Sequence, residues 1–217
     1  MIKDSMFDIS TLKSKRRYEV NKGNKNFEVH VIDPTEYVNE LFCIQKQAWD
    51  AYPKKYRPKL NKESFLNNVL NQWKKKRVYG AFDKKDGKLC GYAVMEIEKS
   101  YAEFSVLKSI PECEKKGINA AIIYKIICDF NPYYNSGYYI CDGERNISHE
   151  TAFQDYLEKY FGFRKAYCRL HVKYRPSIKI AVYILYPFRK ILKIFDRNAL
   201  LHNVISILYM EQLRRTF

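Results

Sequence analysis

Phe27–Ile32 alternates apolar and polar positions and is rich in β-branched residues, which predicts a strand. Tyr101–Lys108 has the same two-residue period. Between them, Arg77–Asp83 and Lys88–Glu98 flank Lys85-Asp86-Gly87, an aspartate-glycine turn of the kind that closes hairpins. From Ile118 to Phe130 the period changes to that of a helix, with Ile118, Ala121, Ile122, Lys125, Ile126 and Cys128 in register. Asn131-Pro132 ends it. Asp33-Pro34-Thr35 predicts the cap of an earlier helix, with Tyr37, Val38, Leu41, Phe42, Ile44 and Trp49 along one side, and Lys62–Lys75 predicts another. A basic, aromatic loop, Tyr52–Pro58, joins the two.

Gly137–Asp142 is expected to run parallel to Tyr101–Lys108, with the helix Ile118–Phe130 as crossover. His149–Phe161 reads as a helix stopped by Gly162, and Arg164–Tyr174 as a strand. Beyond Pro176, Ser177–Phe195 and Asn198–Arg215 read as helical, with Pro187 opening a new segment. The expected fold is α/β of the α+β kind: a mixed, mostly antiparallel sheet flanked by helices, with a helical appendage. Residues 1–26 read as a basic arm, a flexible or loosely docked leader carrying Lys13, Lys15, Arg16 and Arg17. Residues 27–176 form the domain, and 177–217 a basic helical extension.

Charge changes the picture most. The chain of 217 residues has a formal charge of +15, and Arg164–Phe217 holds twelve Lys and Arg against Asp196 and Glu211. That asymmetry suits an anionic partner. In the tail, Ile178, Ala181, Val182, Leu185, Ile191, Leu192 and Phe195 recur at helical steps with Lys179, Arg189, Lys190 and Lys193 between them, a stripe suited to an anionic membrane surface. The longest apolar run there, Ile180–Tyr186, is too short to span a bilayer, and the first thirty residues lack the apolar segment of a signal peptide. The expectation is a cytoplasmic chain whose tail offers a peripheral hold on the inner membrane face. Six cysteines without a C-x-x-C spacing point to buried free thiols, and the four histidines have no ligand-like spacing, so no metal is expected.

The stretch Ile110–Phe130 carries the candidate chemistry. A strand, a lysine-bearing turn, a glycine and a helix put free backbone N–H groups and the positive end of a helix dipole where an anion can sit. Pro111–Ile122 resembles the pyrophosphate-binding turn of the GNAT superfamily of acyl-CoA N-acyltransferases, with Gly117 six residues after Pro111. Glu114 stands where Arg or Gln is usual, and Asn119 where a second small residue is usual. Phe153–Phe163 resembles the family's fourth helix ending in Gly-Phe before a strand.

The resemblance implies an N-acyltransferase using acetyl-CoA or another acyl-CoA on a primary amine, and the Asp142–Asn146 segment with the basic tail suggests an acceptor larger than a free amino acid, such as an amino-sugar of a polysaccharide precursor. It implies a pyrophosphate on the amides of Lys116, Gly117, Ile118, Asn119 and Ala120, charge from Lys115 and Lys116, and a pantetheine arm along Ser105, Val106 and Leu107. A backbone N–H of that strand would polarise the thioester carbonyl. The family's asparagine position falls at Thr151, with Asn146 five residues before it. Candidate bases are Glu103, which shares a strand face with Ser105, and Asp142 and Glu144 in the charged cluster that includes Arg145. The family's tyrosine position falls at Glu158, flanked by Tyr156 and Tyr160 as candidate acids. Two rival readings remain: aminoacyl-tRNA-dependent transfer as in Fem-type ligases, supported by the charge, and a basic binding module without catalysis.

Overall fold

In the computed structural model, residues 1–53, 57–143, 152–167, 171–196 and 199–216 are described. Their strands form one sheet in the order β1-β6-β5-β4-β3-β2. These are β1 Ile2–Lys3, β2 Phe27–Ile32, β3 Arg77–Asp83, β4 Leu89–Ile97, β5 Tyr101–Ser109 and β6 Tyr139–Cys141. Every neighbouring pair is antiparallel except β5–β6. The helices are α1 Ser14–Asn26, α2 Val38–Asp50, α3 Lys62–Asn71, α4 Pro111–Glu114, α5 Ile118–Phe130, α6 Phe153–Phe161, α7 Pro176–Leu185, α8 Arg189–Ile194 and α9 Ala199–Thr216.

Two units divide these elements, Met1–Gly143 with Phe153–Lys165 in the first and α7, α8 and α9 in the second. Within the first, α1, α5 and α6 cover one sheet face. Val20, Tyr79, Ala93, Met95, Ile122, Ile126, Leu157 and Phe161 pack together there. Eight residues of α5 are buried, so this helix is apolar on nearly every side and lies in the core. Leu41, Ile44, Phe65, Val69, Trp73, Val78, Tyr92 and Val94 form the core of the other face, under α2 and α3. Tyr92 is the one polar intrusion there that needs a partner, and its hydroxyl donates to Gln45 Oε1 at 2.5 Å.

The expected fold class is the observed one, but several elements differ. The segment 1–26 is built in rather than loose. Ile2 and Lys3 pair with Cys141 and Ile140. Phe7 N–H donates to Asn131 Oδ1 at 2.9 Å, and Asn131 Nδ2 donates back to Phe7 O at 3.0 Å. Helix α1 packs along α5 although only Val20 and Gly23 of it are buried. It docks through a small backbone-close patch, and such a patch leaves no apolar stripe in the sequence. The expected strand Arg164–Tyr174 reduces to one antiparallel bridge, Arg164 to Ile2, among the described residues. Its place beside β6 is taken by β1. Asp33 makes a turn, accepting from Thr35 N at 2.9 Å, so α2 starts only at Val38, without a side-chain cap. The first unit ends at Lys165, not at Pro176. Among the five described cysteines, all free, Cys43 is exposed.

The second unit is held around one buried carboxylate. Glu211 receives Arg214 Nη2 and Arg215 Nε, each at 2.7 Å, and the Tyr174 hydroxyl at 3.1 Å. The Arg214 hydrogen bond is the largest of the causes that hold its acid constant down to about 2. Because the folded value lies below the ordinary 4.5, the stabilisation is complete above that pH and disappears as pH falls towards about 2. Glu211→Gln should therefore melt lower than wild type at pH 7, and the difference should close between those two pH values in a thermal-melt series. No helix among the described residues is long and apolar enough to cross a membrane.

Candidate functional site

The parallel pair β5–β6 is short. Tyr101, Ala102 and Glu103 face Tyr139, Ile140 and Cys141, and then the pairing stops. Strand β5 runs on to Ser109 with no partner on that side among the described residues. A bulge lies just beyond the last of these pairs. The β4–β5 register passes from Val94↔Val106 to Met95↔Phe104, which leaves Ser105 as the extra residue. A bulge bends and twists the strand that carries it. Ile110 N–H donates to Cys90 O at 2.9 Å, and the alternation of an antiparallel ladder then turns the Lys108 and Val106 amides towards β4. The Leu107 amide, one step out of phase, faces away from β4, on the side of β5 that pairs with β6 up to Glu103. It is a backbone donor on a strand held in place by β4, a kind of group that can receive a carbonyl oxygen.

Glu103 is the last residue of β5 that pairs with β6 among the described residues. Its Oε1 lies 2.8 Å from where a Cβ on Gly143 would fall, so the Gly143 backbone, at φ 77°, closes against the carboxylate. Ser105, which shared a face with Glu103 in a straight strand, is exposed on the bulge. Val106 packs towards the α2–α3 face and Leu107 towards the α5 face. Lys108 Nζ donates to the Tyr52 hydroxyl at 3.0 Å, tying β5 to the loop after α2. Beside that loop lies a cavity of about 330 Å³ lined by Phe42, Lys46, Trp49, Asp50, Arg57 and Leu60.

Asp142 does not stand ready as a base. Its carboxylate is 3% exposed, lies 2.7 Å from the Met1 amine and accepts from Gln154 Nε2 at 2.8 Å. These bonds fasten the end of β6 to β1 and α6. Sequence reasoning had no signal for Gln154. Glu144, Arg145, Asn146, His149 and Thr151 lie outside the described residues. The rings of Tyr156 and Tyr160 lie tilted against each other, 4.7 Å between centroids, and the Arg16 guanidinium of α1 lies 6.0 Å from the Tyr160 ring. Burial pushes the Tyr156 hydroxyl far up. Both rings therefore belong to the packing of α6 with α1, which is no place for a general acid.

The Gly117 turn has the expected local form, with one turn of α4, Gly117 at φ 85°, and then α5. Its surroundings do not. Gly117 is buried, and a Cβ there would fall 2.9 Å from Gly23 N and 3.1 Å from Glu19 O of α1. A Cβ on Gly23 would fall 2.3 Å from Gly117 O. Asn26 Nδ2 donates to Lys116 O at 3.1 Å. Lys116 Nζ is engaged by Asp83 Oδ2 at 3.1 Å, while Lys115 is exposed beside an equally exposed Glu114. Ile118 and Ala120 are buried in the core, and the side-chain oxygen of Asn119 is buried without a partner. The amides expected to hold a pyrophosphate are thus covered by α1, and the residues present do not fit that group. Gly23→Ala should cost about 1–3 kcal/mol or more, the range for overpacking a full interior, because its new atom meets backbone; chemical denaturation measures it.

One parallel pair joined by a crossover helix and an antiparallel meander before it complete the architecture of the described residues. This is the class of fold that the sequence predicts, a mixed, mostly antiparallel sheet flanked by helices. No protein-family model and no curated protein matches the sequence. Similar solved structures include L-PGS from Bacillus licheniformis, at 14% identity and TM-score 0.47, covering 72% of this chain and 55% of that one. The acetyltransferase Tb11.01.2886 of Trypanosoma brucei is 14% identical with TM-score 0.44 over 69% of this chain and all of its own. AAC(6')-Iy, solved with a bisubstrate analogue of CoA and acetylneamine, is 13% identical with TM-score 0.48 over 69% and 98%. The chain spans little more than half the length of the first of these structures. All three TM-scores are below 0.5, and none of these likenesses carries an argument about this chain.

Proposed function

We propose that this chain is an N-acyltransferase whose acceptor is a primary amine and whose reaction takes place beside β5, beyond its pairing with β6. The observation that carries the reading is the Leu107 amide turned away from β4 beyond the bulge, on the same strand as Glu103. The acceptor nitrogen attacks the carbonyl of an acyl thioester or ester. The tetrahedral oxyanion is held by the Leu107 N–H. Collapse breaks the bond to sulfur or oxygen, and the nitrogen's proton passes to Glu103, directly or through water. A thiolate leaves without needing a dedicated acid. Incubating the protein with amine acceptors and S-acetylpantetheine, acetyl-CoA or aminoacyl-tRNA, and reading amide products by mass, tests the proposal. Absence of any acylated amine across these donors rejects it.

Glu103→Gln should lower turnover at neutral pH by roughly two to four powers of ten, the span of general acid–base work. The deficit should shrink as pH rises and the amine arrives deprotonated. An unchanged rate at neutral pH removes Glu103 from the mechanism.

A second reading in the same chemistry, aminoacyl transfer from tRNA, gains from the covered Gly117 turn, because an aminoacyl ester needs no diphosphate seat there. Binding to tRNA with a steep salt dependence would favour it. The α7–α9 unit serves in either case as a dock for an anionic membrane surface. Ten large apolar side chains between Ile178 and Tyr209 are exposed among the described residues, with Lys179, Lys190 and Lys193 exposed among them.

A further inference from the structure

The Gly117 turn is where the GNAT resemblance and the packing part company. We infer that α1 occupies the seat of the diphosphate, so that the acyl donor of this chain reaches β5 without a diphosphate held at that turn. The statement about the donor rests on the N-acyltransferase reading, while the statement about the seat rests on packing alone.

Three observations carry it. First, the contact is backbone on backbone. Gly23 faces Gly117 and Ala121, and added Cβ atoms at either glycine would come within 3.0 Å of main-chain atoms. A phosphate oxygen must approach an N–H to about 3 Å, and nothing of its size enters a contact that excludes a methyl group. Second, α1 is fixed there at several points along its length. Val20 is fully buried, Asn26 donates to Lys116 O, and the Arg16 guanidinium lies over the Tyr160 ring of α6. The helix therefore lies against both α5 and α6. Third, carboxylates stand beside the lysines of the turn, Lys115 and Lys116. The Lys116 ammonium is neutralised by Asp83, and Glu112 and Glu114 are exposed on α4. The two departures from the family pattern, Glu114 and Asn119, agree with a turn that has exchanged an anion for a helix.

The test uses the whole chain and desulfo-CoA, which carries the diphosphate but no acyl group. Calorimetry is run at ~0.02 M and ~0.3 M salt, since screening separates a polyanion resting on a basic surface from one held in a site. Hydrogen exchange follows the amides of Ser14–Asn26 in parallel. The expected result is no saturable binding at the higher salt and unchanged protection of α1. Heat that appears only at low salt, with α1 still protected, is the basic surface and upholds the inference. Saturable binding at the higher salt with a Kd below ~100 µM overturns it, whether α1 loses protection or not. Because desulfo-CoA binding is read without turnover, failure here is separate from failure of acyl transfer, which is read from products with every donor.

Discussion

Leu107→Pro should abolish most acyl transfer, by a factor of about 10²–10³, the usual loss when one oxyanion donor is removed. Proline deletes the N–H and nothing else can supply it. In most central-strand positions such a change would also break the sheet. Here the register turns the Leu107 amide away from β4, so no ladder bond with β4 is lost. Leu107 also packs against the α5 face, and proline gives up part of that contact. Leu107→Ala separates the two effects, since it loses the packing and keeps the N–H. The alanine variant should retain turnover within a few-fold while the proline variant does not, with both folded by circular dichroism. Equal activity in the two variants would remove this amide from the mechanism.

The register that supports this prediction was only partly legible in the sequence. The alternation of Tyr101–Lys108 located β5, and the aspartate-glycine turn located the β3–β4 hairpin. A bulge at Ser105 has no such signature. It changes which amide of β5 faces away from β4. Period analysis also missed α1 and β1. Helix α1 is polar nearly all round and docks through Gly23, while β1 is two residues long and gains its place from pairing with β6. The Pro111–Gly117 spacing correctly announced a turn entering a helix, with Gly117 at positive φ. Spacing could not announce what covers the turn, because that is a tertiary contact some ninety residues away in sequence, as between Asn26 and Lys116. Asp142 illustrates the same limit. A carboxylate at the end of an apolar strand reads as chemistry, and its partners, the Met1 amine and Gln154, make it a fastening.

Reversing Lys179, Lys190 and Lys193 to Glu should release the protein from acidic liposomes. Arg189, although it belongs to the same basic stripe, is a poor choice for this test. Its guanidinium lies over the Tyr186 ring at 4.3 Å and donates to Gln212 Oε1 at 3.2 Å, so its loss would disturb the unit itself. The three lysines are exposed. Each cation near an anionic leaflet contributes about 1 kcal/mol, so losing three weakens binding by roughly a hundredfold, and the introduced carboxylates add repulsion. The apolar half of the surface is tested separately. Ile194 is 76% and Leu200 77% exposed, values that burial in the unit's own interior does not explain. Ile194→Asp should therefore weaken liposome binding while leaving the melting temperature of the protein within a degree or two of wild type, about what a surface substitution away from packing does. Co-sedimentation with vesicles of neutral and of mixed neutral and acidic lipid gives the readout. Wild type should pellet only with the acidic vesicles, and less as salt rises, because surface charges beyond a Debye length are screened. A wild-type protein that ignores acidic vesicles at low salt would remove the membrane from the proposal. Binding that survives the triple reversal but is lost in Ile194→Asp would instead make the surface a hydrophobic dock indifferent to lipid charge.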